Sequence, residues 1–266
     1  MPSVSAGDLD VAYEMFGPLD APRVLVIGGT GQTLAGSFNT NHALNASFRT
    51  LHYDQRDLGA TRGPVRETTM ADYADDAARL LTALGWDRAH VVGTSFGGMV
   101  AQNVAVRHPE RVERLVLLCT SPGGPLPSAP LHELEDLPAE ERAERHLALL
   151  DTRYDPKADE PLPGLGALLP GLRARWTSDA DPETRAGQRR QLEARAGHDV
   201  LDALATITAP TLVCAGRFDG IAPLANSEAI AERIPGARLE LFDGGHVFMW
   251  QDTRVWPTVI DFLDAP

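Results

Sequence analysis

Val24-Leu25-Val26-Ile27 is apolar at every position, and short runs of the same kind recur within His90–Val92, Arg114–Leu118 and Thr211–Cys214. A strand with one wet face alternates apolar and polar residues, whereas a strand covered on both faces loses that alternation. With Val11–Phe16, Thr50–Tyr53 and Arg238–Phe242 they make seven predicted strands. Between them lie segments whose apolar positions repeat every three to four residues: Met70–Leu84, with Ala74, Ala77, Ala78, Leu81 and Leu84 on one face, then Phe96–Arg107, Leu224–Ile234 and Thr253–Leu263.

Strands alternating with helices predict an α/β fold, a mostly parallel doubly wound sheet with helices on both faces. Val11–Phe16 enters ahead of this alternation as an antiparallel lead-in. The pattern breaks from Pro122 to about Thr208, where prolines and glycines cluster and helical stretches such as AEERAERHLALL replace strands. The expected organisation is a core of 1–121 and 209–266, with 122–208 inserted as a helical cap. Cap leucines such as Leu147, Leu165 and Leu172 have the spacing of a core, with a pocket-lining role as the alternative.

Composition narrows the partners. The 266 residues are 43% apolar and carry a formal net charge of −13. Such a chain offers no basic surface to a nucleic acid or an anionic membrane. The opening residues lack the basic and apolar regions of a secretion signal, and no uninterrupted apolar stretch has the length of a membrane span. A cytoplasmic protein acting on a small molecule is expected, with homo-oligomerisation left open. Cys119 and Cys214 close apolar runs and read as buried free thiols. The eight histidines lack metal-ligand spacing, and neither a metal nor another cofactor is expected.

The chemistry concentrates in Val91-Val92-Gly93-Thr94-Ser95-Phe96-Gly97-Gly98, a G-x-S-x-G at a predicted strand-to-helix junction. A Gly/Ser turn is the plain alternative. A nucleophile elbow explains more, because it forces the serine into a strained backbone and needs glycines where strand and helix approach. A serine hydroxyl needs a base, and the base needs a carboxylate to orient it. His246, in LFDGGHVFMW, follows a late strand and a Gly-Gly turn that can return it to the serine's edge of the sheet. Asp219, in the loop after a strand, completes the order Ser, Asp, His. Asp243 is the rival acid, closer to His246 in sequence but on the same turn.

These residues and the pieces VLVIGGTG, YDQRDLGAT, HVVGTSFGGMVAQNVAVRHPERVERLVLLC, VCAGRFDGIAP and GGHVFMW resemble the α/β-hydrolase-fold superfamily over essentially the whole chain. Within it the chain is similar to small esterases and lactonases of the 3-oxoadipate enol-lactonase-like and aclacinomycin-methylesterase-like groups. The resemblance implies Ser95 as nucleophile, His246 as general acid/base and Asp219 as its orienting carboxylate. It also implies an oxyanion hole from the backbone N–H of Phe96 and of Gly29 or Thr30. Many relatives carry His-Gly where this chain has Ile27-Gly28, which leaves the choice between those two amides open. Arg56 and Asp57 are expected to brace the loops around the site. Trp176, Val247 and Phe248 are candidates for the substrate pocket, while cap arginines such as Arg173 and Arg175 read as solvated surface, with pairing to an acidic substrate as the alternative.

The activity implied is cleavage of a small or medium carboxylic ester or lactone. A carbon–carbon bond hydrolase or cofactor-independent perhydrolase could use the same residues, and a non-catalytic ligand-binding protein is the answer of another class. A dinucleotide site at Val24–Thr33 is the remaining competitor, with Gly28, Gly31 and Asp54 fitting loosely. It fails at Leu34, which stands where a third glycine should let helix and strand pack closely.

Overall fold

The computed structural model describes residues 1–36, 42–177 and 182–265. Its centre is an eight-stranded sheet: β1 (Ser3–Ala6), β2 (Leu9–Phe16), β3 (Arg23–Ile27), β4 (Arg49–Tyr53), β5 (Ala89–Thr94), β6 (Val112–Leu118), β7 (Thr211–Gly216) and β8 (Arg238–Phe242). The spatial order is β1-β2-β4-β3-β5-β6-β7-β8. The pairs β1/β2 and β2/β4 are antiparallel, and every pair from β4 onward is parallel. All seven predicted strands are present, and β2 is the antiparallel lead-in. β1 is an eighth that the pattern missed, since four residues reading Ser-Val-Ser-Ala are too short and too polar to register.

Alternate residues of each central strand face opposite layers, as the period of two requires. Leu25, Ile27, Val91, Leu115, Leu117 and Val213 share a core with α1 (Met70–Ala83), α2 (Phe96–Arg107) and α6 (Leu224–Arg233). Val24, Val26, Val92, Val116, Leu118, Leu212 and Cys214 pack with α7 (Val255–Leu263) on the other face. Helix α1 starts at a capping box: the Thr69 side chain accepts from the Asp72 N–H, and the Asp72 side chain accepts from the Thr69 N–H. Helix α7 begins two residues later than predicted, after a 3-10 turn at Phe248–Trp250.

Between β6 and β7 come α3 (Ala139–Leu150), α4 (Leu169–Thr177) and α5 (Pro182–Ala196). The stretch 122–208 read as a cap includes 178–181, which lie outside the described residues. Leu147, Leu150, Leu162 and Leu165 form a separate cluster with Ile221, against which Val247 and Trp176 pack. No helix among the described residues is long and apolar enough to cross a membrane.

The chain runs from β3 outward to β4, then returns to pair β5 on the other side of β3. Such a reversal opens a crevice at the carboxyl ends of the two strands. The register sets Ile27 beside Gly93, so the loop after β3 and the turn after β5 meet at one edge of the sheet.

Candidate active site

Ser95 sits in the turn between β5 and α2 with φ +56° and ψ −115°. That is a sparsely populated conformation for a residue with a Cβ, and it costs of the order of 1–3 kcal/mol. The surrounding structure holds it: the Ser95 N–H donates to the Leu118 carbonyl (2.8 Å), and the Thr120 hydroxyl donates to the Ser95 carbonyl (2.8 Å). Neither glycine of the G-x-S-x-G accepts a side chain: a Cβ on Gly93 would stand 2.3 Å from the Gly97 carbonyl oxygen, and Gly97 is closed from the other side. A Cβ there would stand 2.1 Å from the Ile27 carbonyl oxygen and 2.6 Å from that of Gly28. The missing methyl lets α2 press against the end of β3, with its N-terminal amides beside the half-buried serine.

His246 Nε2 lies 2.9 Å from Ser95 Oγ, and His246 Nδ1 lies 2.8 Å from Asp219 Oδ2. Asp219 is buried, and its other oxygen accepts from the N–H groups of Ile221 and Ala222, both at 2.8 Å. An ionised carboxylate only accepts, so the imidazole proton belongs on Nδ1 and the Nε2 lone pair faces the serine hydroxyl. Asp219 follows β7 and His246 follows β8, its sheet neighbour, so the acid reaches the imidazole from an adjacent strand. The rival Asp243 has a 68% exposed side chain whose ion-pair partner is Arg153 (3.5 Å).

The Gly244-Gly245 turn that returns His246 is shaped by close approach. A Cβ on Gly245 would lie 2.0 Å from the Leu150 carbonyl oxygen, which also accepts the His246 N–H at 2.5 Å. Gln251 ties the same turn down. Its Oε1 accepts from the Gly245 N–H, and its Nε2 donates to Asp151 and to the Pro163 carbonyl, all at 2.8 Å.

On the facing loop, the space where a Gly29 side chain would begin is 3.6 Å from Ser95 Cβ. The Gly29 N–H donates to Gln32 Oε1 (3.0 Å), and Gln55 Nε2 donates to the Gly28 carbonyl (2.9 Å). The N–H groups of Thr30 and Phe96 make no hydrogen bond to any described residue. Asp54, which a dinucleotide reading would place on a ribose, is buried and accepts from the Leu34 N–H and the Ala60 N–H, both at 2.7 Å.

The pocket candidates divide. Val247 and Trp176 border the leucine cluster of the helical segment, and Trp176 stacks on His146 with ring centroids 4.7 Å apart. Phe248 is instead fully buried in the α7-side core, stacked on Phe242 at 5.3 Å. Its neighbour His246 marked the turn, but the 3-10 turn carries the next residue but one inward. Arg173 is committed to Glu140 and Glu144, whereas Arg175, expected on solvated surface, donates to the Thr30 carbonyl (2.8 Å). A cavity of about 390 Å3 adjoins α2, lined by Met99, Ser121, Ser128, Leu192, Arg195 and His198 among others. Burial pushes the His198 ring down to about 4 and raises both cysteine thiols; the two cysteines are free. No group of three His, Cys, Asp or Glu side chains suited to a metal ion occurs among the described residues.

The structure brings together Ser95, His246 and Asp219, the three residues singled out by motif and order. The glutamines that hold the loops, Gln32, Gln55 and Gln251, were not singled out, because an isolated Gln has no sequence signature.

A doubly wound sheet with a serine on a strained strand-to-helix turn and a histidine–carboxylate pair at the same edge defines a class of hydrolases. The chain belongs to it: residues 22–253 match the alpha/beta hydrolase fold family. It is 29% identical to a poly(3-hydroxyalkanoate) depolymerase of Ectopseudomonas oleovorans over 244 residues, 90% of this chain and 83% of that one. It is 30% identical to the putative carbamate hydrolase RutD of Caulobacter sp. (strain K31), over 92% of each chain. The enol-lactonase of Burkholderia xenovorans LB400 superposes with a TM-score of 0.82 at 26% identity, covering 99% of this chain and 100% of that one.

Proposed function

We propose that the protein is a serine hydrolase that cleaves a small or medium carboxylic ester or lactone through an acyl-enzyme on Ser95. The observation that carries this reading is the unbroken hydrogen-bonded relay from Asp219 through His246 to Ser95, at 2.8 and 2.9 Å. His246 takes the hydroxyl proton as Ser95 Oγ bonds to the substrate carbonyl carbon. The carbonyl π electrons move to oxygen, giving a tetrahedral oxyanion. When it collapses, the bond to the alcohol oxygen breaks and His246 returns the proton to that oxygen. Water then attacks the acyl-enzyme by the same sequence and releases the acid.

The oxyanion donors are the N–H groups of Phe96 and Thr30. Gly29 was the other candidate, but its N–H is occupied by Gln32 within the loop. Each such donor is worth about 3–4 kcal/mol in the transition state. In this reading 1–121 and 209–266 carry the catalytic residues, while 122–208 forms a cap whose Trp176 and Val247 help shape the substrate pocket.

The test is labelling by a fluorophosphonate probe together with turnover of p-nitrophenyl esters, methyl esters and lactones. Ser95→Ala should abolish labelling, and it and His246→Ala should lower kcat by about 10⁶, with Asp219→Asn costing about 10⁴. Normal turnover by Ser95→Ala overturns the assignment. Failure of the folded wild-type protein to label points to a binding protein instead. Turnover confined to a vinylogous 1,5-diketone, with no ester or lactone cleaved, makes the reaction carbon–carbon hydrolysis.

A further inference from the structure

The loop that faces Ser95, 28–32, has no regular structure, and its amides point usefully only if something outside the loop orients them. Gln32 closes the loop on itself, its Oε1 accepting from the Gly29 N–H and its own N–H donating to the Gly29 carbonyl (3.1 Å), and Gln55 after β4 holds the Gly28 carbonyl. Two further ties come from far along the chain. Arg175 Nη2 of α4 donates to the Thr30 carbonyl, and Gln191 Oε1 of α5 accepts from the Gly31 N–H, both at 2.8 Å. The peptide unit joining Thr30 to Gly31 is therefore gripped at both its poles by the helices inserted between β6 and β7.

We propose that Gln191 is a positioning residue for the oxyanion hole: by holding the Gly31 N–H, helix α5 sets the direction in which the Thr30 N–H points. This rests on Ser95 being the nucleophile. Of the two distant ties Gln191 is the one whose whole side chain is buried. Its carboxamide orientation is fixed by chemistry, since a backbone N–H can be met only by Oε1. Nε2 is then left buried without a hydrogen-bond partner among the described residues. An orphaned buried donor carries a desolvation penalty that an apolar side chain filling the same space would not incur. A position serving only to pack α5 would gain by being apolar.

Helix α5 also reaches the core in a second, independent way. A Cβ on Gly187 would lie 2.0 Å from the Asp57 carbonyl oxygen, and Arg190 Nε pairs with Asp57 Oδ2 at 2.7 Å. Those contacts dock the helix on the loop after β4 without touching 28–32. Docking and loop positioning can therefore be separated by mutation.

The experiment compares Gln191→Met with Arg190→Met, using kcat, KM and the inhibition constant of a boronic acid. The boronate forms a tetrahedral adduct on the serine and so reads the oxyanion hole directly. Gln191→Met should lower kcat about 10- to 100-fold, short of the full loss of a donor, with KM within about threefold. The boronate inhibition constant should rise in parallel. Arg190→Met should lower Tm but leave that constant within about threefold of wild type. Wild-type kcat and boronate affinity in a folded Gln191→Met protein, or an equal loss in both variants, overturns the proposal. Should Gln191→Met fail to fold, Gln191→Ala, which also lacks the acceptor, is judged by the same outcomes. Fluorophosphonate labelling of the wild type keeps the two readings apart: an unlabelled wild type removes the nucleophile, whereas a labelled wild type with an indifferent Gln191 removes only the positioning role.

Discussion

Single atoms decide the geometry around Ser95. Gly97 was legible as the second glycine of an elbow, and the structure supplies the reason: the absent Cβ is replaced by the Ile27 carbonyl oxygen, 2.1 Å from where it would be. Gly97→Ala must push α2 away from β3, and overpacking of this kind costs about 1–3 kcal/mol. The same displacement separates the Phe96 amide from the 28–32 loop. We therefore expect urea denaturation to show a loss of about 2 kcal/mol and kcat to fall further than that loss explains. A Gly97→Ala protein with unchanged midpoint and turnover would contradict the close approach. Asp219 and Asp243 also differ at the residue scale: sequence order favours Asp219, whose buried carboxylate meets His246, while the exposed Asp243 carboxylate pairs with Arg153.

At the scale of elements, apolar runs and helical periodicity carried most of the architecture, because β3, β5, β6 and β7 are buried on both faces. The pattern weakened where burial is partial or the element short. β1 escaped it, and α5, PETRAGQRRQLEARA, mixes polar and apolar residues on its buried side, with Gly187, Gln191 and Arg195 beside Leu192 and Ala194, and so shows no hydrophobic stripe. YDQRDLGAT was expected to brace loops, and Arg56 does so between elements. Its fully buried guanidinium makes a bidentate pair with Asp76 of α1 through Nε and Nη2, both at 2.9 Å, and reaches Asp8 ahead of β2 at 2.9 Å. Arg56→Met would leave Asp76 buried with Arg79 as its one remaining ion-pair partner among the described residues. Removing one partner of a buried pair is expensive, and we expect a loss of about 3 kcal/mol in unfolding free energy. A change below about 0.5 kcal/mol would show that the pair does not hold α1 to the sheet.

Across the whole molecule, burial leaves several histidines neutral. His146 and His198 are pushed down to about 4 and His52 to about 3, against about 6.5 in an unfolded chain. Below pH 6.5 the unfolded state takes up protons that these folded rings refuse. Stability is therefore full above about 6.5 and is lost progressively as pH falls toward 4 and, for His52, toward 3. Tm should be clearly lower at pH 5 than at pH 7.5, and His198→Asn should flatten part of that slope; a Tm unchanged between the two values would contradict it. By itself the sequence determined the strand and helix alternation, the serine of the strand-to-helix turn, and the chain order of Ser95, Asp219 and His246, because these follow from local periodicity, glycine spacing and position along the chain. Only the tertiary structure decided which loop amides are free, which aromatic turns into the core, and which helix grips the loop opposite Ser95. Those outcomes depend on contacts such as Gly31 with Gln191, 160 residues apart, where neither partner bears any local mark of the other.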